Sequence, residues 1–559
     1  VGERKGLWWL YVGAVLLCAT PIWLFRYVPT QDGPGHLSSA FVFKELILGN
    51  PVFGKYYALN WTLAPYWAYH VVMTPLLFAF RPLVAEKVFL TLYVAAFAAA
   101  GWRLTRLAAG RPSPFGLLFL VIATSFPFHM GFFNSMAAVV AALFVVVLFW
   151  SRRETLTWRT WLALNAAVVA CYFFHLLGAF TALAAVFVLA LWSFAWRRYV
   201  KKEGASAARL FLTPARLAPS YVLPLFYVLT APRPAAPARL PFTKLVTDFV
   251  SASWLVSFGK WQSVVAWATT AFIAAAVLTA LGSRLRERPR AFRESDAFAA
   301  LAVVFTAFYF LAPDTAPVGA YYLSSRFALF PFLFITPWLA ANVPRRPGRL
   351  LGFVAAGVLL AHVGTLAFYY ARENKTLRVF NSGLCVVTPG AVVLPLVKTP
   401  AAGERVEPLR HAVGYYVIGA KAASLVDVGA ATGYFPVKWK PSVAAPPLTG
   451  KFNGVRVYDA RAARPAPDYL ITYDINPFLP ALQPILACYE AVHARGRLVI
   501  YKRVHALPPA SPAATVSAST SRSAAIGIRT ARAASRRTPT SPAKRSGTFS
   551  ARINVNDRG

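Results

Sequence analysis

The chain has 559 residues, of which 57% are hydrophobic, 15% aromatic and only 14% charged, with a mean hydropathy of +0.51; soluble domains carry roughly 25% charged residues. That balance excludes an ordinary soluble enzyme and reads as a polytopic α-helical membrane protein embedded in a lipid bilayer. The formal charge of +38, from 58 Lys and Arg against 20 Asp and Glu, is no nucleic-acid footprint, because most of it falls in short loops between apolar runs.

Residues 7–25, LWWLYVGAVLLCATPIWLF, follow Arg4 and Lys5 and are long enough for a hydrocarbon core of about 30 Å. No small-residue cleavage site follows, so they read as a retained signal-anchor with a cytoplasmic N-terminus. The next stretch, RYVPTQDGPGHLSSAFVFKELILGN at 26–50, holds the first acid beyond that run, Asp32. Segment 65–102 has apolar residues enough for two crossings. Two would put Arg103, Arg106 and Arg111 outside and invert every later loop, so one crossing is expected at 84–102. Residues 65–80 then form a helix in, or re-entering, the outer interface, a depth that suits Tyr66, Trp67 and Tyr69.

Further apolar runs lie near 115–128, 132–150, 161–176, 178–196, 217–231, 263–282, 297–312, 327–343 and 349–370. Basic loops follow alternate runs: Arg103 to Arg111; Arg152, Arg153 and Arg159; Arg197 to Arg216; Arg284 to Arg293, with Arg288 and Arg290; and Arg345, Arg346 and Arg349. These mark the cytoplasmic side, and the base-poor connections near 127–131, 175–178, 232–262 and 312–326 face outward. The count is about eleven crossings, which leaves Asp32 and everything beyond 370 outside. Residues 1–378, with an outer loop at 26–83, form the transmembrane domain.

Residues 379–505 change register. LCVVTP, AVVLPLV, GVRVYD, PDYLITYD and RLVIYKRV are β-like, and FLPALQPILACYEAVHA is helix-like. This reads as a small extracytoplasmic α/β domain. The Ser-, Ala-, Arg- and Pro-rich segment 506–559 cannot bury a core and reads as a disordered basic tail. Cys18 and Cys171 lie in spans, while pairing of Cys385 with Cys488 is left open, and no metal-ligand spacing occurs. NWT at 60–62 and NKT at 374–376 match the N-glycosylation pattern. No P-loop, G-x-S-x-G or H-E-x-x-H motif is present, and GAATG at 429–433 has no Rossmann context.

One span, a large outer loop opening with an acid, an aromatic and proline-rich segment (LNWTLAPYWAYHVVMTPL), many further spans and an outer soluble domain: this order over residues 7–505 resembles the GT-C glycosyltransferases. The group includes the protein O-mannosyltransferases and the lipid A aminoarabinose transferases. HMGFFNSMAAVV at 129–140 and GAYYLSSRFALFPFL at 319–333 also look like segments of its bacterial members. The resemblance implies transfer of a sugar from a polyprenyl-phosphate donor to an envelope glycan, lipid or protein, in a bacterial inner membrane. One departure stands out. Many members carry a second acid, as DxD or ExD, where Asp32 is followed by Gly33 and Pro34.

Such chemistry needs a base for the acceptor proton and cations for the leaving phosphate. Asp32 suits the first task, with His36 one helical turn away to orient it or touch phosphate; the alternatives are a simple turn that starts the next helix for Asp32 and a capping or surface role for His36. Arg326 suits phosphate because its planar fork stays charged near lipid, with snorkelling as the bland reading. Lys55, Lys87 and Arg81 are further outer cations that suit the donor phosphate, with interface anchoring as the alternative for each. Glu45 is a secondary acid or a solvated surface group, and His175, with His129 and Asn134, is a helix-end polar group adequately explained by interhelical hydrogen bonding. No cofactor is implied, and a divalent metal is left open. A lipid-linked glycan flippase is the rival from another class, read as disfavoured because the spans offer those histidines no acidic partner; a non-catalytic scaffold is the third.

Overall fold

The structure, a computed structural model, describes residues 2–203, 208–231, 236–287, 292–316, 321–398, 405–452, 454–478, 480 and 482–509. Most of the expected tail, and Arg288, Arg290, Gly319 and Ala320, lie outside the described residues.

Every expected apolar run is helical. The helices used below are α1 (Gly2–Leu24), α2 (Gly33–Ile47), α3 (Trp67–Ala79), α4 (Pro82–Ala109), α5 (Phe133–Arg152), α6 (Trp158–Phe174), α7 (Leu176–Ala195), α8 (Ala218–Thr230), α9 (Lys260–Arg286), α10 (Asp296–Leu311), α11 (Leu329–Asn342) and α12 (Arg345–Phe380). Among the described residues, seven helices are long and apolar enough to cross a membrane, and four shorter apolar ones accompany them, at Trp67–Ala79, Pro114–His129, Ala218–Thr230 and Asp296–Leu311. The chain is an integral membrane protein. At 13 residues, α3 rises about 20 Å, short of the roughly 30 Å a crossing needs.

The C-terminal region carries a five-stranded sheet. Its strands are β2 (Val392–Val397), β3 (Ala423–Ser424), β7 (Tyr469–Tyr473), β8 (Tyr489–Arg495) and β9 (Leu498–Arg503), in the order β3-β2-β7-β9-β8. Pairs β2–β3 and β2–β7 are parallel, and β7–β9 and β8–β9 antiparallel. A small hairpin joins β5 (Leu448–Phe452) to β6 (Val455–Tyr458). From the first connection of the chain, β1 (Tyr57–Leu59) pairs antiparallel with β4 (Val437–Trp439). That pairing knits the loop after α1 to the C-terminal domain.

Helix α12 has 36 residues, about 54 Å, so it outruns a bilayer and enters the domain. Its Leu377 and Phe380 share a buried cluster with Tyr27, Val393, Tyr416, Ile471 and Ile500. Asn374 fastens this junction: Nδ2 donates to the carbonyls of Tyr27 and Tyr370, and Oδ1 accepts from the Tyr27 amide at 2.9 Å.

Two local expectations are corrected. LCVVTP is a turn, because α12 ends there in a 3₁₀ segment whose carbonyls take the amides of Leu384 and Val386. FLPALQPILACYEAVHA keeps one helical turn, Gln483–Leu486, before becoming β8. Cross-strand bonding to β9 through a tight turn at Gly496 outweighs the helix propensity of its Ala and Glu. Cys385 and Cys488 are both free thiols.

Candidate active site at one end of the bundle

The end of α1, the starts of α4 and α5, the α6–α7 junction, the start of α9 and the far end of α12 meet beneath the C-terminal domain. Contacts fix this convergence: Gln31 with His129, Arg326 with His175, and Arg405 with the carbonyls of Ser253 and Val256.

Asp32 is the N-cap residue of α2, yet its carboxylate makes no capping bond. The turn reading of QDGPG therefore covers the backbone and leaves the side chain unexplained. The amides of Gln31 and Asp32 donate to the carbonyls of His129 and Met130 at 2.9 and 3.0 Å. Gly131 makes this possible. Its φ of +78° is a left-handed conformation, and a Cβ there would stand 2.4 Å from the Gly33 nitrogen. Thus the HMGF segment is the backbone shelf on which Asp32 rests. On the other side, the domain helix Gly414–Gly419 lies directly on α2, since a Cβ on Gly414 would be 2.3 Å from the Pro34 carbonyl oxygen.

The Asp32 carboxylate faces a cavity of about 100 Å³. Gln31 Nε2 donates to its Oδ1 at 3.2 Å, and His411 Nε2 lies 3.5 Å from the same oxygen. Burial pushes the Asp32 carboxyl up to about 6, against the opposing pull of Gln31, Arg410 and Arg326. His411 is pushed down to about 3 by burial and by the charges of Arg410 and Arg456. The contact therefore joins a carboxylate to a neutral imidazole near pH 7. His36 lines the same cavity, but its ring neighbours are Tyr69, Phe133 and Phe435 at 5.6, 6.2 and 5.5 Å, and burial pushes it down to about 4.

Arg326 is 7% exposed, stacks 4.2 Å over Phe132 and sets Nη1 2.7 Å from His175 Nε2. The Leu177 amide donates to His175 Nδ1 at 3.0 Å, which assigns the imidazole proton to Nε2. Two donors then face one another. Arg326 Nε has no partner among the described residues, nor has the buried Nε of Arg410. Tyr66 links this corner to the cavity, edge-on to His175 at 5.2 Å and stacked on Phe435 at 5.3 Å.

The other sequence candidates lie apart from this cluster. Lys55 is exposed over the Tyr56 ring. Lys87 Nζ donates to the Phe25 carbonyl at 2.6 Å beside Trp23. Glu45 pairs with Lys44 at 3.0 Å and accepts from Asn50. His129 hydrogen-bonds with Tyr370 and Ser257 in the core.

The expected lack of acids in the spans is corrected by Glu86, 1% exposed in α4 with Oε1 unpartnered among the described residues. It sits in the second turn of that helix, at the site end, and so does not line a mid-membrane path. Neither glycosylation triplet offers a free Asn: Asn60 and Asn374 are buried with both amides bonded to backbone carbonyls. Among the described residues, no group of three or more His, Cys, Asp or Glu stands together.

Sequence reasoning missed His411, Arg410 and Asp427, because they come from the C-terminal domain and only tertiary packing brings them to Asp32. No local pattern around them carried a signal.

No family model and no curated protein matches the sequence. Two solved structures of ArnT from Cupriavidus metallidurans do match, in the apo state and bound to undecaprenyl phosphate. Each covers 91% of this chain and 100% of its own at 13% identity, with TM-scores of 0.50 and 0.48 respectively. ArnT is a GT-C glycosyltransferase, and the likeness to its apo structure shows that this chain is a polytopic membrane protein with a GT-C-like fold.

Proposed function

We propose that the protein is a membrane glycosyltransferase that moves one sugar from a polyprenyl-phosphate carrier to an acceptor hydroxyl of an envelope glycan, lipid or protein, inverting the anomeric centre. The observation that carries this reading is the placement of Asp32. Its carboxylate is spared from capping, opens on a cavity and lies within the electrostatic reach of the buried Arg326 and the half-buried Arg410.

In the step, the acceptor hydroxyl gives its proton to Asp32 as its oxygen bonds the anomeric carbon. The bond from that carbon to the phosphate oxygen breaks, and the electron pair leaves with polyprenyl phosphate. A carboxylate poised near 6 accepts a proton more readily than an exposed one while remaining ionised at pH 7. Arg326 and Arg410 take the phosphate, whose oxygens meet the unpartnered Nε groups and relieve the facing donors of Arg326 and His175. Gln31 and neutral His411 hold the Asp32 carboxylate toward the acceptor. The site end then faces outward and the basic loops face the cytoplasm. Undecaprenyl phosphate, the lipid held by ArnT, is the carrier to try first.

The test is transfer of labelled sugar from undecaprenyl-phosphate donors to envelope extracts, with membranes holding the intact chain or Asp32→Asn at equal abundance. Loss of a base of this kind costs roughly 10²- to 10⁴-fold. Equal transfer by both would remove Asp32 from the chemistry, and no transfer above empty membranes for any donor would sink the reading.

A further inference from the structure

The cavity has a second wall that the step above does not use. Asp427, Ser424 and Phe435 of the C-terminal domain line it together with Asp32, Ser38 and Ser39. Asp427 caps the short helix Val428–Thr432, with Oδ1 accepting from the Ala430 amide at 3.1 Å. Capping needs no charge, since Asn serves as well as Asp. Its ionisable carboxyl, which burial pushes up to about 6, is therefore surplus to the turn.

The loop that bears this wall is held in place. Asn60 Nδ2 donates to the carbonyls of Gly433 and Phe435 at 2.8 and 2.9 Å, the Asn60 amide donates to Pro436 at 2.7 Å, and the β1–β4 pairing follows at once. Phe435 stacks on Tyr66 with ring planes 24° apart. A carboxylate and a flat aromatic ring thus stand fixed in the lining of the cavity that also holds Asp32.

We infer that this wall is the acceptor subsite and that it selects an uncharged sugar ring, whose hydroxyls donate to Asp427 and whose apolar face lies on Phe435. The inference rests on the glycosyltransferase reading. Among the described residues that line the cavity, two are carboxyls and none is Lys or Arg. Its two histidines are held neutral by burial. A phosphate acceptor would meet two carboxyls and no lining Lys or Arg to hold it, whereas sugar hydroxyls make charge-assisted bonds to carboxylates. The arginines that suit the donor phosphate lie outside this lining. Base and wall therefore sort the two substrates: a phosphate toward Arg326 and Arg410, a hydroxyl toward Asp427.

The experiment uses full-length protein in membranes, undecaprenyl-phosphate-linked labelled sugar and envelope extract as acceptor source, with unreacted donor removed by solvent extraction. The product bond is read by mild acid, which cleaves a glycosyl phosphate and spares a glycoside. The half-saturating extract concentration is measured for the intact chain, for Asp427→Asn, which keeps the cap, and for Phe435→Leu, which leaves the cap untouched. An acid-stable product is expected. Each variant should raise the half-saturating concentration, Asp427→Asn by roughly ten- to hundredfold, with the donor KM unchanged. Transfer by the intact chain onto a phosphate, or wild-type acceptor dependence in both variants, overturns the inference while the glycosyltransferase reading stands. Absence of any transfer fells that reading, and the inference with it.

Discussion

The two ends of the helical bundle treat charge in opposite ways. At the basic end, Arg153 meets Glu294 at 2.8 Å, Arg284 meets Asp296 at 3.0 Å, Arg293 meets Glu287 at 2.5 Å, and Arg197 meets Glu154. At the site end, Arg326 and Arg410 bury Nε groups that have no partner among the described residues, and the nearest cation-forming side chain to Asp32 is a neutral imidazole. These four arginines at the first end are satisfied by carboxylates of the protein itself. At the second the two Nε groups are left without a protein partner among the described residues, which on the proposed reading leaves them for the donor phosphate, at a cost in stability.

This contrast makes opposite predictions for removing a charge. Arg326→Gln should lower transfer, chiefly through the donor KM, by roughly ten- to hundredfold, the worth of a charged hydrogen bond. Its Tm in detergent should hold or rise, because a buried guanidinium with an orphan donor is relieved. A lower Tm with full transfer per folded molecule would instead class Arg326 with the structural arginines of the other end.

The pH dependence sharpens the same point at Asp32. Burial raises its carboxyl to about 6, and only the ionised form takes a proton. Transfer should therefore be at its plateau above that value and fall about tenfold per unit below it. A profile flat down to pH 5 would mean that another group is the base.

The helices, and Asp32 as a candidate, were legible in the sequence for one reason: both rest on local signals. Long apolar runs need no partner to be recognised, and an acid beside Gly-Pro-Gly just after the first run is conspicuous in a chain with few acids. Arg326 was likewise legible as an Arg at a helix end. What escaped was whatever depends on contacts far along the chain. His411 lies 379 positions from Asp32 yet reaches its carboxylate, and Gly131 matters only because the backbone of Asp32 and Gly33 passes over it. His36, adjacent in sequence, turns toward Tyr69, Phe133 and Phe435. The β8 strand was misread because Ala and Glu carry a helix preference that the β9 ladder overrides.

The smallest effect on transfer belongs to the basic end. Asp296 is bonded by Arg284 Nη2, the Arg293 amide and Trp338 Nε1, at 3.0, 2.8 and 2.8 Å. Asp296→Ala leaves these donors without their acceptor. Breaking a buried pair costs about 3–5 kcal/mol; with 17% and 12% exposure of the Arg284 and Asp296 side chains, water offsets part of this, and about 2 kcal/mol is expected. Tm should drop by several degrees, while transfer per folded molecule stays within about twofold, because no group of this end reaches the cavity. Asp296→Ala and Arg326→Gln thus form a crossed pair, one losing stability and keeping activity, the other the reverse. If both variants lost the two properties together, the ends would be coupled through the helices that join them, and the division between structural and ligand-directed charge would fail.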